Sequence, residues 1–251
     1  MEHITSLKNP KIAAWKSLKE RKGRRELGCF LVEGRKMTEE ALASAFPVEA
    51  LLVDADRAGE FTLPGSVPTY TMPAHVLAAV CDTKTPQGIA AIVRMAEMPL
   101  RGLRLVALDG VQDPGNVGTI IRTADAAGFD GVLLSAQCAD VFSPKVLRAT
   151  MGSVFRMGIR VTEDLAGELR QMVQSGASVL SSQLDGKPFY QLGAVATPFV
   201  LVIGSEGNGV TDAVKAVSTH QVKLPMRGGA ESLNAAVAAG IMMYELTREM
   251  D

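Results

Sequence analysis

The amino-acid sequence predicts an α/β protein in which a mostly parallel sheet flanked by helices follows a smaller α/β domain. The first observation is that short apolar segments alternate with segments of helical periodicity along the chain. The second is a change in the spacing of the predicted elements near residue 100, after which the strand-helix units become longer. The third is Phe199–Ile203, which is nearly all apolar, as expected for a strand buried on both faces of a parallel sheet.

The first 95 residues predict a small α/β domain. Its predicted helices are Ile4–Lys22, ended by Gly23-Arg24-Arg25, then Lys36–Ala45 and Pro73–Val80, and its predicted strands are Cys29–Val32, Val48–Val53, Pro68–Met72 and Gly88–Val93. A short segment with Pro99 and Gly102, residues 95–102, is the predicted linker. We therefore expect an N-terminal domain over residues 1–98 and a second domain over residues 102–251.

The second domain is predicted to build its sheet from strands that alternate with helices. The predicted strands are Leu103–Leu108, Gly131–Ser135, Ala177–Gln183, Phe199–Ile203 and Gln221–Leu224, and the predicted helices are Asn116–Ala127, Pro144–Met151, Glu163–Ser175, Thr211–Val217 and Ser232–Glu249. Ser143 and Ser232 are candidate N-caps for two of these helices.

Charge is distributed unevenly along the chain. Residues 1–36 contain ten Lys or Arg against four Glu, a balance of +6, whereas the whole chain carries −1. A basic arm over residues 1–25 on an acidic body is typical of nucleic-acid binding, although a solvated helix face gives the same pattern. The candidate RNA-contacting residues are Lys8, Lys11, Lys16, Lys19, Arg21, Lys22, Arg24 and Arg25.

Cysteine and histidine usage argues against a metal site and for a reducing compartment. Cys29, Cys81 and Cys138 are isolated and odd in number, and the three His residues are scattered, so no metal-ligand spacing occurs. No apolar run reaches the length of a membrane span, and the N-terminus does not resemble a signal peptide. A cytoplasmic protein is expected.

Three Gly-rich turns, each after a predicted strand, are the candidate functional loops. They are the Gly-rich part of Leu105–Arg122, then Gly204–Gly209 and Leu224–Asn234. Because ligands of open α/β sheets bind at the carboxyl ends of strands, the three turns predict one site. The first turn alone suggests a phosphate or nucleotide site. However, the dinucleotide fingerprint is missing, and Val210 stands where a P-loop has Lys.

The three turns together resemble the ordered motifs of the SpoU (TrmH) family of S-adenosylmethionine-dependent RNA 2′-O-ribose methyltransferases. The matching residues are Asn116-x-Gly118-x-x-x-Arg122, Ile203-Gly204-Ser205-Glu206-Gly207-x-Gly209 and Leu224-Pro225-Met226 followed by Glu231-Ser232-Leu233-Asn234-x-x-x-Ala238. Less specifically, residues 4–10, Phe30–Gly34 and Thr85–Ile89 resemble the family's RNA substrate-binding domain. The resemblance implies a trefoil knot in the C-terminal domain and a homodimer packed near it.

The resemblance also assigns catalytic roles, which can be weighed against the chemistry of each residue. Arg122 would stand beside the ribose oxygen and a phosphate. Because guanidinium stays protonated, stabilising the developing alkoxide is a better role for it than general base. Asn116 would orient Arg122 or the ribose, or only cap a helix. Glu206 would pair with Arg122 or hold Asn116, or be a solvated loop acid. Asn234 completes the set at the start of the last helix.

The resemblance places the S-adenosylmethionine pocket between the second and third turns. The candidate cofactor-binding residues are Leu184, Ile203, Gly204, Glu206, Gly207, Leu224, Met226, Ser232, Leu233 and Asn234. Met226 could equally fill space between sheet and helix. No metal is implied.

The expected function is methylation of a ribose 2′-OH in structured RNA, with ribosomal RNA of the large subunit as the expected substrate. Transfer RNA is one alternative. A non-catalytic RNA-binding or ribosome-assembly protein is another, but it would not need Asn116, Arg122, Glu206 and Asn234, all of which are present. Methyl transfer to a base is disfavoured by the Asn-x-Gly-x-x-x-Arg motif.

Overall fold

The computed structural model describes residues 1–96, 98–100 and 102–248, and its contacts divide the chain into two compact units. The first comprises Met1–Ala96 and Asp140–Arg156, and the second contains the rest of the described chain. Positions 97 and 101 of the predicted linker, and the predicted end of the last helix at Glu249, lie outside the described residues.

The first unit is built on a five-stranded mixed sheet in the order β1-β4-β3-β5-β2. Its elements are β1 (Glu2–His3), α1 (Pro10–Ser17), α2 (Arg21–Leu27), β2 (Cys29–Glu33), α3 (Arg35–Ala43), β3 (Val48–Asp54), β4 (Thr69–Met72), α4 (Ala74–Val80) and β5 (Ile89–Arg94). β5 runs antiparallel to β2 and β3, whereas β1, β3 and β4 are parallel. One core cluster beneath the sheet contains Ile12, Leu18, Leu52 and Leu77, with Trp15 partly buried against it.

The single predicted helix over residues 4–22 is wrong, since two helices meet at a tight corner. Asn9 caps α1 by accepting a hydrogen bond from the N–H of Lys11, and Pro10 occupies the first position. Gly23 lies inside α2 and does not end a helix. A Cβ on Gly23 would lie 2.1 Å from the carbonyl oxygen of Ser17, so glycine permits the close approach of the two helices.

The second unit contains a six-stranded, fully parallel sheet in the order β11-β9-β10-β6-β7-β8. Its elements are β6 (Arg104–Asp109), α5 (Pro114–Ala126), β7 (Gly131–Ser135), β8 (Gly158–Thr162), α7 (Leu165–Gln174), β9 (Ser178–Pro188), β10 (Phe199–Gly204), α8 (Asp212–Val217), β11 (His220–Lys223) and α9 (Ala235–Thr247). Helix α6 (Pro144–Thr150) lies between β7 and β8 in sequence but belongs to the first unit. Helices α7 and α8 pack against one face, and α5 packs against α9. The predicted α/β class with a mostly parallel sheet is confirmed, and the trefoil knot stays a prediction.

Two element predictions in the second unit need correction. β8 was not predicted, because its apolar residues alternate with Arg160 and Thr162 at a sheet edge and Val161 is 54% exposed. Helix α9 begins after Asn234 and not at Ser232, because the Asn234 side chain accepts hydrogen bonds from the N–H groups of Ala236 and Val237.

The segment Asp140–Arg156, predicted as part of the C-terminal domain, packs with the first unit. Aromatic rings account for much of this packing, since Phe30 stacks on Phe142 and Phe155 at centroid distances of 4.6 and 6.2 Å. Its ion pairs within the unit include Arg24–Asp140, Arg148–Asp82 and Arg156–Glu40.

Candidate active site

Strands β6 and β10 bring the first two Gly-rich turns together. The strands are in register with Gly204 opposite Asp109, so both chains leave the sheet at the same edge. The second turn then folds back on itself, with the N–H groups of Ser205 and Gly209 donating to each other's carbonyl oxygens at 3.1 and 2.9 Å. A Cβ on Gly204 would lie 2.1 Å from the carbonyl carbon of Gly209, so this turn requires glycine.

Asn116, Glu206 and Asn234, one from each turn, form a hydrogen-bonded cluster. Asn116 Nδ2 donates to Glu206 Oε1, and Asn234 Nδ2 donates to Asn116 Oδ1 at 2.9 Å. Of the two partners proposed for Glu206, the structure therefore brings it to Asn116 and not to Arg122. The structure places Asn116 in the first turn of α5, but the N-cap is Asp113, which accepts the Asn116 N–H at 2.8 Å.

The direction of every hydrogen bond in this cluster follows from the last helix. The free N–H groups at the start of α9 can only donate, so Asn234 must direct Oδ1 towards them and Nδ2 away. Asn234 Nδ2 then requires an acceptor, which orients Asn116 with Oδ1 towards Asn234 and Nδ2 towards Glu206. The cluster is thus a one-way chain from α9 to a carboxylate, with Asn116 held in one amide orientation.

Arg122 is not brought into this cluster. It lies six residues beyond Asn116 on α5, so the two side chains project about 120° apart around the helix axis. Its side chain is exposed and makes no hydrogen bond or ion pair within residues 1–96, 98–100 and 102–248. A guanidinium that is exposed and without a protein partner is available to an external anion or developing oxyanion.

A cavity of about 660 Å³ lies beside the cluster, in the size range of small-molecule and cofactor sites. Nine of the ten predicted cofactor-binding residues line it, namely Leu184, Ile203, Gly204, Glu206, Gly207, Leu224, Met226, Ser232 and Leu233. Asn234 lies behind this lining, in the amide cluster. Neither Asn116 nor Arg122 is among the lining residues.

Sequence reasoning missed other residues of the cavity wall. Val210, Ala238 and Met242 contribute apolar surface, and Lys215 and Lys223 contribute the positive charge. The helical residues could have been found from their spacing, since Ala238 and Met242 lie one and two turns after Asn234 on α9. Nothing in the local sequence distinguishes Lys215 or Lys223 from other surface lysines.

Strands β9 and β11 both contribute residues to the cavity wall, and they pack closely beside it. A Cβ on Gly186 would lie 2.6 Å from the backbone nitrogen of Val222, so glycine lets the two strands approach. Leu184, two residues earlier, lines the cavity yet is 75% exposed. An apolar side chain so placed is ready to cover a bound ligand.

The cavity suits S-adenosylmethionine better than a nucleotide phosphate. Its wall combines apolar side chains with exposed loop backbone, which can contact a flat heterocycle. Both signs of charge are present, from Glu206 and Glu231 and from Lys215 and Lys223, as a ligand with a sulfonium cation and an amino-acid zwitterion requires. Leu224, Met226 and Leu233 supply the apolar contacts.

The predicted RNA-contacting residues of the first unit are not equivalent. Lys8, Lys16, Arg21, Lys22 and Arg25 are exposed. The Lys11 ammonium pairs with Glu2 at 2.7 Å and lies over the Tyr70 ring, and Lys19 Nζ donates to the Ala79 carbonyl oxygen at 3.0 Å. The ammonium groups of Lys11 and Lys19 therefore already make contacts within the protein and are less available to RNA phosphates.

Arg24 requires a correction, because it is 3% exposed and its guanidinium is used inside the unit. Its Nη1 donates to the carbonyl oxygens of Leu18 and Lys19 at 2.8 and 2.7 Å, and its Nη2 pairs with Asp140 at 2.6 Å. Arg24 therefore joins the α1–α2 corner to the segment that begins at Asp140, and it is not placed to contact RNA phosphates.

The three cysteines are free and buried. Burial raises the pKa of the Cys81 thiol to about 12, so this group stays protonated. Within the described ranges, no group of three or more His, Cys, Asp or Glu side chains could hold a metal ion. No helix in the part of the chain that the structure describes has both the length and the apolar character to span a bilayer.

Two family models match the chain. Residues 103–244 match the SpoU rRNA methylase family, and residues 9–91 match the MRM3-like substrate-binding domain. The chain is 40% identical to the 23S rRNA (guanosine(2553)-2′-O)-methyltransferase RlmP of Bacillus subtilis (strain 168), over 98% of this chain and 99% of that protein. It is 30% identical to a 23S rRNA (uridine(2479)-2′-O)-methyltransferase of Streptomyces viridochromogenes, over 98% and 92% of the two chains.

Solved structures agree with these matches. The AdoMet-bound rRNA methyltransferase from Sinorhizobium meliloti superposes with a TM-score of 0.88 at 33% identity, covering 100% of this chain and 98% of that one. The SpoU methyltransferase AviRb from Streptomyces viridochromogenes, in complex with AdoMet, superposes with a TM-score of 0.84 at 28% identity, covering 97% and 98%.

Proposed function

Since the chain belongs to the SpoU rRNA methylase family, we propose that it transfers a methyl group from S-adenosylmethionine to a ribose 2′-OH of 23S ribosomal RNA. The single observation that carries this proposal is the convergence of Asn116, Glu206 and Asn234 beside the 660 Å³ cavity. Each of these residues comes from a different motif of the family, and the cavity wall carries both signs of charge beside apolar surface.

The residues have distinct roles in this proposal. Bound S-adenosylmethionine would supply an electrophilic methyl group and leave as S-adenosylhomocysteine. The ribose oxygen forms the new bond as its proton passes to solvent water, and the protein must stabilise that oxygen as it loses the proton. Arg122, exposed and without a partner in the described chain, stands beside that oxygen and the adjoining phosphate. Glu206 and Asn234 hold Asn116 in a fixed amide orientation so that it can position the ribose.

RNA affinity comes from the first unit, whose residues 9–91 match a substrate-binding domain. The exposed cations Lys8, Lys16, Arg21, Lys22 and Arg25 would contact phosphates, which position the protein without reading sequence. The two relatives act on 23S rRNA by name but at different nucleotides, a guanosine and a uridine. We therefore take 23S rRNA as the substrate of this chain. Mapping of 2′-O-methyl sites in that RNA identifies the target nucleotide.

The proposal predicts where a labelled methyl group enters RNA. With labelled S-adenosylmethionine and 23S rRNA, we expect label at one nucleotide and resistance of the following phosphodiester to alkali, because a 2′-O-methyl group removes the attacking hydroxyl. Transfer RNA, a base-modified product and protein without S-adenosylmethionine are the comparison samples. Label on a base with unchanged alkali sensitivity contradicts the ribose assignment, and label only in transfer RNA contradicts the substrate.

We also propose that the protein acts as a homodimer, in the cytoplasm, through the outer face of α9. This helix is apolar on nearly all sides, yet Val237, Ile241 and Tyr244 remain 50%, 39% and 56% exposed. They are spaced four and three residues apart, so they form one stripe along the helix. An apolar stripe on an otherwise buried helix is the pattern of a surface covered by a partner.

The dimer predicts that charge on this stripe gives monomers. The double substitution Ile241→Glu and Tyr244→Arg should halve the mass measured by sedimentation velocity at micromolar concentration, because charged side chains would have to be desolvated in the interface. Val161→Glu, at a similarly exposed apolar residue on β8, is the control and should leave the dimer intact. A wild-type protein that sediments as a monomer contradicts the proposal.

A further inference from the structure

Asp109 is a buried carboxyl group that the proposed chemistry does not use. It is the last residue of β6, is 5% exposed, and lies opposite Gly204 in the sheet. Its Oδ2 accepts the backbone N–H of Thr211 at 2.7 Å. Across the described residues this is its one side-chain hydrogen bond, and no ion pair is formed. A carboxyl group is costly to bury with so little compensation, so its retention requires a reason.

The Asp109 side chain closes the second turn at its far end. That turn leaves the sheet at Gly204 and carries Glu206, and its near end is fixed by the register of β10 with β6. Thr211 follows two residues after the turn's last residue, Gly209, and it precedes α8 with no side-chain capping bond of its own. The bond from Thr211 to Asp109 is thus a direct tie between the end of this turn and the sheet.

The Asp109 backbone also leads into the first turn, which carries Asn116. The Gly110 N–H donates to the buried Ser135 Oγ at 2.9 Å, and the Val111 carbonyl oxygen accepts from Ala139 at 2.9 Å. The chain that leaves Asp109 is therefore fixed from its first residues. Asp109 therefore helps to fix the positions of both turns. These turns carry Asn116 and Glu206, whose side chains are hydrogen-bonded to each other.

We infer that Asp109 is a positioning residue for methyl transfer, which aligns Glu206 with Asn116 by holding the N–H of Thr211. The inference rests on the proposed function. Asp109 contacts neither substrate nor cofactor in this scheme, since it is buried and does not line the cavity. Losing it should let the second turn shift, which misplaces the amide cluster.

The test compares variants at the two ends of this hydrogen bond. Asp109→Ala should lower kcat about tenfold to a hundredfold, as expected for a small misplacement of catalytic groups, with the KM for RNA little changed. Asp109→Asn keeps an acceptor oxygen and should recover part of the loss. Thr211→Pro removes the N–H at a φ of −67°, which suits proline, and should reproduce the defect. Thr211→Ala keeps the N–H and should lose far less.

The double variant Asp109→Ala/Thr211→Pro should be no slower than Asp109→Ala alone, because both remove the same bond. Amide hydrogen exchange at residues 205–210 should accelerate in each damaging variant, a readout that does not depend on turnover. Wild-type turnover in Asp109→Ala, a neutral Thr211→Pro, or additive losses would overturn the inference. A wild-type protein that does not methylate ribose overturns the proposed function instead. Hydrogen exchange then still shows whether the hydrogen bond from Thr211 to Asp109 holds the second turn in place.

Discussion

Replacing Arg122 by Ala is expected to lower kcat about a hundredfold to a thousandfold while S-adenosylmethionine binding is retained. The size follows from the roughly 3–4 kcal/mol that a donor aimed at a developing oxyanion contributes to catalysis. Binding should persist because Arg122 does not line the cavity. Stability should change little, since the side chain is exposed and makes no hydrogen bond or ion pair with described residues.

The measurement pairs single-turnover methyl transfer with calorimetric binding of S-adenosylmethionine. Arg122→Lys keeps the charge but not the planar fork of donors, so an intermediate rate would show that both charge and geometry matter. Arg170→Ala, at an exposed arginine on α7, is the matched control. If Arg122→Ala loses cofactor affinity as strongly as rate, the residue belongs to the cofactor site and its assigned role is wrong.

The Asn116–Glu206–Asn234 cluster shows what sequence could and could not predict about the site. Each residue was identified from the motif that carries it, and the ends of parallel strands predicted that the turns would meet. The direction of the hydrogen bonds was not predictable, because it depends on Asn234 being the N-cap of α9, and Ser232 was an equally good candidate from sequence. A shift of two residues in the start of the helix decides whether Asn116 has this partner.

Parts of the fold that depend on local sequence could be predicted, and parts that depend on contacts between distant residues could not. Apolar segments such as Phe199–Ile203 predicted buried parallel strands because their composition alone demands burial. The edge strand β8 carries exposed residues and gave no such signal. The packing of Asp140–Arg156 with the first unit depends on aromatic contacts with Phe30, more than a hundred residues away, which no local pattern encodes.

Arg24 and Arg25 are neighbours in sequence that should give opposite results when each is replaced by Ala. Arg24→Ala is expected to destabilise the protein by about 3–5 kcal/mol, the cost of removing a buried guanidinium that pairs with the partly buried Asp140. It removes the partner of Asp140 and the donor to the carbonyl oxygens of Leu18 and Lys19. Arg25→Ala should change stability by less than about 0.5 kcal/mol, because its side chain is exposed.

RNA affinity should show the opposite order of effects, with Arg25→Ala weakening binding and Arg24→Ala leaving its salt dependence unchanged. Arg25→Ala should weaken binding and lower the slope of log affinity against log salt by about one, as expected when one phosphate contact is lost. Arg24→Ala, measured at a temperature where it is still folded, should keep the wild-type slope because its guanidinium never reaches the solvent. Denaturant unfolding gives the first comparison, and binding over a series of salt concentrations gives the second. A lowered slope in a folded Arg24→Ala protein would mean that the arginine leaves Asp140 to bind RNA, and an unchanged slope in Arg25→Ala would remove that residue from the phosphate-contacting surface.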